Sequence, residues 1–361
     1  MTMNTWGENI NFSIFGESHG GAVGAVFDGI PSGTPIDTEY ISKRMQRRRP
    51  GKNKLSTART ETDSVEILSG LKDGLTCGTP ICGIIRNSDM RSSDYNGAVM
   101  RPGHADYTAY IKYGESRDFR GGGHFSGRLT AALVFGGAIA EQVLLKKGIT
   151  IGTHISKIGG VCDTPFDLTN IDADTLSRLE NMDFPVVNPD CAEPMMAEIE
   201  SARADTDSVG GILECAICGI DRGIGSPFFG SVESRISSMM FSIPAIKGIE
   251  FGAGFNFGNM RGSAANDEFY ISEDGNSNSV KTRTNNNAGI NGGITNGMPV
   301  VFRLAVKPTP SIGKIQNTID IEKRENVSAQ IRGRHDPCIV HRAAPVVSAA
   351  AAIAVLDMLS D

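Results

Sequence analysis

The chain has 361 residues, 40% of them hydrophobic and 21% charged, the balance of a globular protein with room for a large core. A formal net charge of −6 argues against broad electrostatic binding to nucleic acid, which needs a basic face. No charged-then-apolar leader and no apolar run of about 18 residues stands out, which points to a cytosolic protein, and the seven cysteines, an odd number, then read as reduced thiols.

In chain order, Asn11 to Phe15 and Gly24 to Phe27 read as short strands around a first glycine-flanked histidine, His19. Asp37 is a candidate N-cap for a helix that ends in Arg47-Arg48-Arg49-Pro50-Gly51, with arginines suiting the negative end of the dipole. Ser64 to Leu68 and Ile81 to Arg86 read as strands, and Ala105 to Tyr113 as a helix behind a second histidine, His104. Ser126-Gly127-Arg128 opens an apolar helix through Lys147, with small and aliphatic residues all round, hence a core helix. Ile149 to Ile158, Gly210 to Gly219, Ile249 to Gly252 and Val300 to Val306 are strands. Helices are expected over Asp172 to Met182, Ala192 to Asp205 and the Ala-rich Ala343 to Leu359. Asn259 to Asn296 is rich in Asn, Gly, Ser and Thr, a composition that leans toward a disordered linker and leaves a functional loop as the alternative. No repeat or linker forces a two-domain cut, so residues 1–361 are taken as one domain.

Three distant segments set ionisable residues beside glycine or proline: Gly16-Glu17-Ser18-His19-Gly20, Arg101-Pro102-Gly103-His104-Ala105-Asp106 and Arg332-Gly333-Arg334-His335-Asp336-Pro337-Cys338. Such turns let a ligand approach the backbone, and the arginines suit an anion. Arg44, Arg47, Arg48, Arg49, Lys52 and Lys54 add a local positive cluster, either an anion site or a solvated helix end. A histidine near pKa 6.5 serves acid–base work, and each of His19 and His104 is otherwise a loop histidine bonded to backbone. Arg120-Gly121-Gly122-Gly123-His124-Phe125-Ser126 enters a helix and reads as an anion cradle or a flexible connector; it is neither a Walker A nor a Rossmann loop. Lys307-Pro308-Thr309-Pro310-Ser311 ends a strand with a cation and two hydroxyls. Asp336 is a general base or an arginine partner, with Arg334 expected to keep it ionised. His154 reads as structural, Cys215 and Cys218 face opposite sides of a strand, and the scattered histidines and cysteines give no metal set.

Taken together and in this order, the Gly16–Gly20, Arg47–Gly51, Arg101–Asp106, Arg120–Gly123 and Gly333–Pro337 segments resemble those of the chorismate synthases, and the similarity runs from about Gly7 to the C-terminal helix. The resemblance implies an α+β fold, a β-α-β sandwich of antiparallel sheets with helices, assembled as a homotetramer. It implies a carbon–oxygen lyase that makes chorismate from 5-enolpyruvylshikimate 3-phosphate by 1,4-elimination of phosphate, with reduced FMN required and no net redox change. An external flavin reductase is expected, with NADPH as a source of reductant. On the same grounds His19 is the acid toward phosphate, His104 stabilises the anionic reduced ring, and Asp336 helps the flavin N5 exchange protons. Arg48, Lys54, Arg101 and Arg334 neutralise the substrate anions. His124, Phe125, Ser126, Pro244, Ala245, Gly293, Lys307, Pro308, Thr309, Pro310, Ser311 and Arg334 line the FMN, which makes the Asn/Gly-rich stretch a cofactor loop. Lys54 stands where the family often carries arginine and lacks its bidentate fork. The rival readings are a flavin-dependent oxidoreductase and a non-catalytic phosphometabolite-binding protein.

Overall fold

The computed structural model describes residues 4–49, 51, 62–88, 96–272, 280–331 and 336–359. Two five-stranded antiparallel sheets enclose a helical layer. The first sheet runs Thr5–Trp6, Asn11–Gly16, Ala22–Asp28, Ile81–Arg86, Val65–Ser69 from edge to edge. The second runs Ile246–Phe251, Val300–Val306, Gly211–Cys218, Thr150–Ile158, Val161–Cys162. Between them lie the helices Thr130–Lys146 and Val340–Met358, which pack on each other. This is the expected β-α-β sandwich.

The sequence explains the closeness of the layers. A Cβ at Gly136 would lie 2.2 Å from the Phe12 ring of the first sheet, and one at Gly137 2.2 Å from the Ala349 Cβ of the neighbouring helix. Glycine and alanine therefore let aromatic side chains such as Phe12, Phe27, Phe135 and Phe302 fill the interior, each stabilising by roughly 1.5–3 kcal/mol on burial. The chain ends are tied together at Asp357, whose Oδ1 accepts from the backbone N–H groups of Glu8, Asn9 and Ile10. The Thr38–Arg48 helix is capped as expected, with Asp37 accepting from the Glu39 N–H.

Three expectations change. Helices Gly127–Lys146 and Val340–Met358 are long and apolar enough to cross a membrane, but 83% and 94% of their apolar windows is buried within the fold. A hairpin, Ile315–Asp320 with Glu325–Gln330, escaped the sequence reading because its strands are largely exposed, and so did the short helix Val232–Met240, although its buried Val232, Ile236, Met239 and Met240 recur at helical spacing. The Asn/Gly-rich stretch is ordered where described. It forms the pairs Phe269–Ile271 with Val280–Thr282 and Ile290–Asn291 with Ile294–Thr295. Its asparagines satisfy backbone: Asn285 donates to the Leu168 and Pro299 carbonyls and accepts from the Gly289 N–H, while Asp267 accepts from the N–H groups of Asn286 and Asn287.

Candidate active site

The strand Asn11–Gly16 turns into Glu17-Ser18-His19, held by Asn87, whose side-chain amide donates to the Glu17 and Gly20 carbonyls. His19 is buried to 7% exposure at the wall of a cleft of about 1210 Å³. The glycine run forms a strap beside it. Gly121, Gly122 and Gly123 have φ of 60°, 86° and 54°, in the left-handed region that glycine favours. A Cβ at Gly121 would sit 2.5 Å from His19 Cδ2, and one at Gly122 3.3 Å from His104 Cε1. The strap thus separates the two histidines, and its glycines are required by close packing.

His104 opens the Asp106–Tyr113 helix. Its Nδ1 is 2.8 Å from Asp106 Oδ1, and Arg101 grips the same carboxylate through Nε at 2.6 Å and Nη2 at 2.7 Å. Burial works to raise the Asp106 carboxyl, but the hydrogen bonds and charges of Arg101 and His104 outweigh it and hold it far below the usual carboxylate range. Asp106 therefore stays ionised and orients His104, while Arg101 reaches the cleft with its fork already engaged.

Arg48 is 2% exposed and lines the cleft. Its Nε and Nη2 donate to Asp63 Oδ2 at 3.0 and 2.5 Å, and Nη1 donates to Thr130 Oγ1 at 3.2 Å. Arg128, from the turn before the central helix, also pairs with Asp63. Burial would raise the Asp63 carboxyl, yet the two guanidinium groups depress it. The rest of the arginine cluster divides: Arg44 and Arg47 bind Glu141 and Glu180 at the helix layer, away from the cleft. Lys52, Lys54 and Arg334 lie outside the described residues.

A third wall comes from three segments clipped together. Lys307 donates through Nζ to the Gly103 carbonyl at 2.6 Å and through its backbone N–H to the Ala245 carbonyl at 2.9 Å. Pro244, Ala245, Lys307, Thr309, Pro310 and Ser311 line the cleft, whereas Pro308 does not. Ala245 sits at φ 75°, a strained conformation for a residue with a Cβ. Thr309 Oγ1 is buried without a hydrogen-bond partner among the described residues. His124, Phe125 and Ser126 also line the cleft; His124 Nδ1 donates to the Gly16 carbonyl at 2.8 Å, and Ser126 caps the turn that carries Arg128.

Asp336 also faces the cleft. Its Oδ2 accepts from Arg342 Nη1 at 2.8 Å; the expected partner, Arg334, lies outside the described residues. Gly293 is not at this cleft. It packs where a Cβ would meet Ser231 at 2.7 Å, and no described residue of Asn259 to Asn296 lines the cleft. Arg117, Arg128 and Arg342 are cleft residues that sequence reasoning passed over. Arg128 had a signal, since it follows the glycine run; Arg342 had none, being one arginine in an apolar helix.

Two histidines on either side of a glycine strap, five arginines and two carboxylates in one large cleft define an acid–base enzyme for an anionic ligand. The volume exceeds the roughly 300–1,000 Å³ usual for one small-molecule site, room for substrate and cofactor together. The chorismate synthase family profile matches residues 10–360. Relatives named chorismate synthase include those of Methanosarcina acetivorans, 43% identical over 99% of this chain and 96% of its own length, and Methanothermobacter thermautotrophicus, 42% identical over 98% and 93%. A crystal structure of chorismate synthase superposes with a TM-score of 0.76 at 30% identity, covering 98% of this chain and 92% of that one. The chain belongs to the chorismate synthase family. It is a carbon–oxygen lyase of the shikimate pathway that forms chorismate from 5-enolpyruvylshikimate 3-phosphate with loss of phosphate.

Proposed function

We propose that this cleft holds 5-enolpyruvylshikimate 3-phosphate together with reduced FMN, with His19, His104 and Asp336 as the acid–base residues. The observation that carries the reading is the placement of His19 and His104 against one glycine strap, in a cleft whose arginines can neutralise a phosphate and two carboxylates. The third wall fits a flavin. Thr309 Oγ1 offers a buried unsatisfied hydroxyl to a polar ring edge, and Lys307, Ser311, Pro244 and Ala245 supply a cation, a second hydroxyl and apolar contact. When bound, reduced flavin would supply an electron-rich ring that lends charge to the substrate and recovers it, consistent with a reaction of no net redox change.

The chain's own groups account for the rest. His19 delivers a proton to a phosphate oxygen as the carbon–oxygen bond breaks. His104, oriented by Asp106 through Nδ1, stabilises negative charge on the bound cofactor. Asp336 holds and moves a proton at its carboxylate, with Arg342 as its anchor. Arg48 and Arg128 face the substrate anions from a shared hold on Asp63. We infer a cytosolic homotetramer, in keeping with the exposed Phe228, Phe229 and Phe255, which are apolar surface of the kind that partners cover. Reduced flavin is taken to come from an external reductase using NADPH.

The test is an anaerobic assay with substrate and chemically reduced FMN, following chorismate and phosphate. Stoichiometric release of both with the flavin still reduced supports the reading; consumption of one reduced flavin per product would make the protein an oxidoreductase. In the same assay His19→Ala should lower turnover by roughly 10²–10⁴-fold, with FMN affinity little changed. Unchanged turnover removes His19 from the chemistry.

A further inference from the structure

Arg342 is the third residue of the C-terminal helix, Val340–Met358, and its guanidinium lines the cleft. It makes two directed bonds to parts of the chain almost 300 positions apart. Nη1 donates to Asp336 Oδ2 at 2.8 Å, and Nε donates to the backbone carbonyl of Arg48 at 3.2 Å. That carbonyl belongs to the last residue of the Thr38–Arg48 helix, where carbonyl groups have no partner within the helix. The Arg48 side chain meanwhile turns to Asp63 and Thr130. One planar fork therefore fixes the distance between a carboxylate and the helix end that carries a substrate-facing cation. Both ends of the Arg342–Asp336 pair are mostly buried, at 17% and 16% side-chain exposure, so water screens it weakly.

We propose that Arg342 is a positioning residue for the elimination: it aims the Asp336 carboxylate and locks the Arg48 helix end in register with it. The proposal rests on the reading of Asp336 as a proton-handling group. Its chemistry is specific to arginine. A lysine keeps the charge but presents a single ammonium point, which cannot serve Asp336 and the Arg48 carbonyl through separate nitrogens of one plane. Among the described residues, the charged and titratable groups facing this pair include Arg48 and Asp63 from the first helix and its following segment, and His341 and Cys338 from the C-terminal segment.

The test is a double-mutant cycle in kcat with reduced FMN and saturating substrate, using Arg342→Gln, Asp336→Asn and the pair, with Arg342→Lys as a charge-keeping control. Thermal unfolding establishes the folded fraction of each. Arg342→Gln should lower kcat by roughly 10- to 100-fold, as a displaced reacting group does, with KM within about threefold. Arg342→Lys should recover only part of that loss. In the Asp336→Asn background, Arg342→Gln should cost less than about threefold, because the group it aims is already gone. Full additivity of the two substitutions overturns the proposal, as does a loss confined to KM, which would make Arg342 a direct contact for a substrate anion. Complete rescue by Arg342→Lys also overturns it, since charge alone would then suffice. If Asp336→Asn alone turns over at the wild-type rate, the reading of Asp336 fails first, and the cycle shows this separately.

Discussion

Adding one methyl group at Gly121 tests whether the strap sets the place of His19. The Cβ of Gly121→Ala would lie 2.5 Å from His19 Cδ2 and 2.6 Å from Nε2. Ordinary carbon contacts need about 3.5–4.0 Å, so the imidazole has to withdraw by about 1 Å. A shift of that size in a reacting group costs on the order of 100-fold in rate, about 2.7 kcal/mol of barrier. At Gly122 the corresponding contact with His104 is 3.3 Å, so a few tenths of an ångström suffice, and the loss should be below about tenfold. Both alanines also bear a left-handed backbone, at roughly 1–2 kcal/mol. Gly33 separates the two effects, because its φ is +79° and nothing lies within 4 Å of the added Cβ. Gly33→Ala should lose stability and keep kcat. The assay is initial chorismate formation under anaerobic conditions, normalised to folded protein. Turnover of Gly121→Ala within threefold of wild type, with the protein folded, would refute the argument that the strap positions a catalytic histidine.

Arg48→Ala should both raise KM and destabilise the fold by about 3 kcal/mol, the low end for breaking a buried pair because Arg128 still holds Asp63; urea unfolding and KM measured on the same samples check the two effects. The folded Asp63 carboxyl titrates below its ordinary value because Arg48 and Arg128 outweigh burial, so its contribution is present above about pH 4 and drains away as pH falls through the folded value. The acid-side loss should be shallower in Arg48→Ala. His154 behaves with the opposite sign. Burial lowers it, but Asp163 and Glu214, each 2.9 Å from a ring nitrogen, raise it overall, so its stabilisation is complete below about pH 6.5 and lost as pH rises through the folded value. His154→Gln should cost about 3–5 kcal/mol near pH 6 and flatten that alkaline decline in an unfolding series.

Local chemistry was legible because it is written in neighbouring residues. Asp37 caps its helix, Ile81–Arg86 and Val300–Val306 alternate or run apolar as strands do, and the apolar helix after Ser126 is core. The glycine–histidine segments marked the cleft for the same reason, since a turn that lets a ligand or a ring approach must be spelled out in glycine. What depended on tertiary structure were the partners. Nothing in the sequence distinguishes Asp63, which sits between Arg48 and Arg128, from other acids, or marks Arg342 as a partner of Asp336. The Asn/Gly-rich stretch shows the same limit: composition leaned toward disorder, while the folded chain satisfies its amides with backbone groups of Leu168, Gly289 and Pro299. Backbone conformation and burial are properties of a short window, whereas the pairing of buried charges is decided by which windows the two sheets bring face to face.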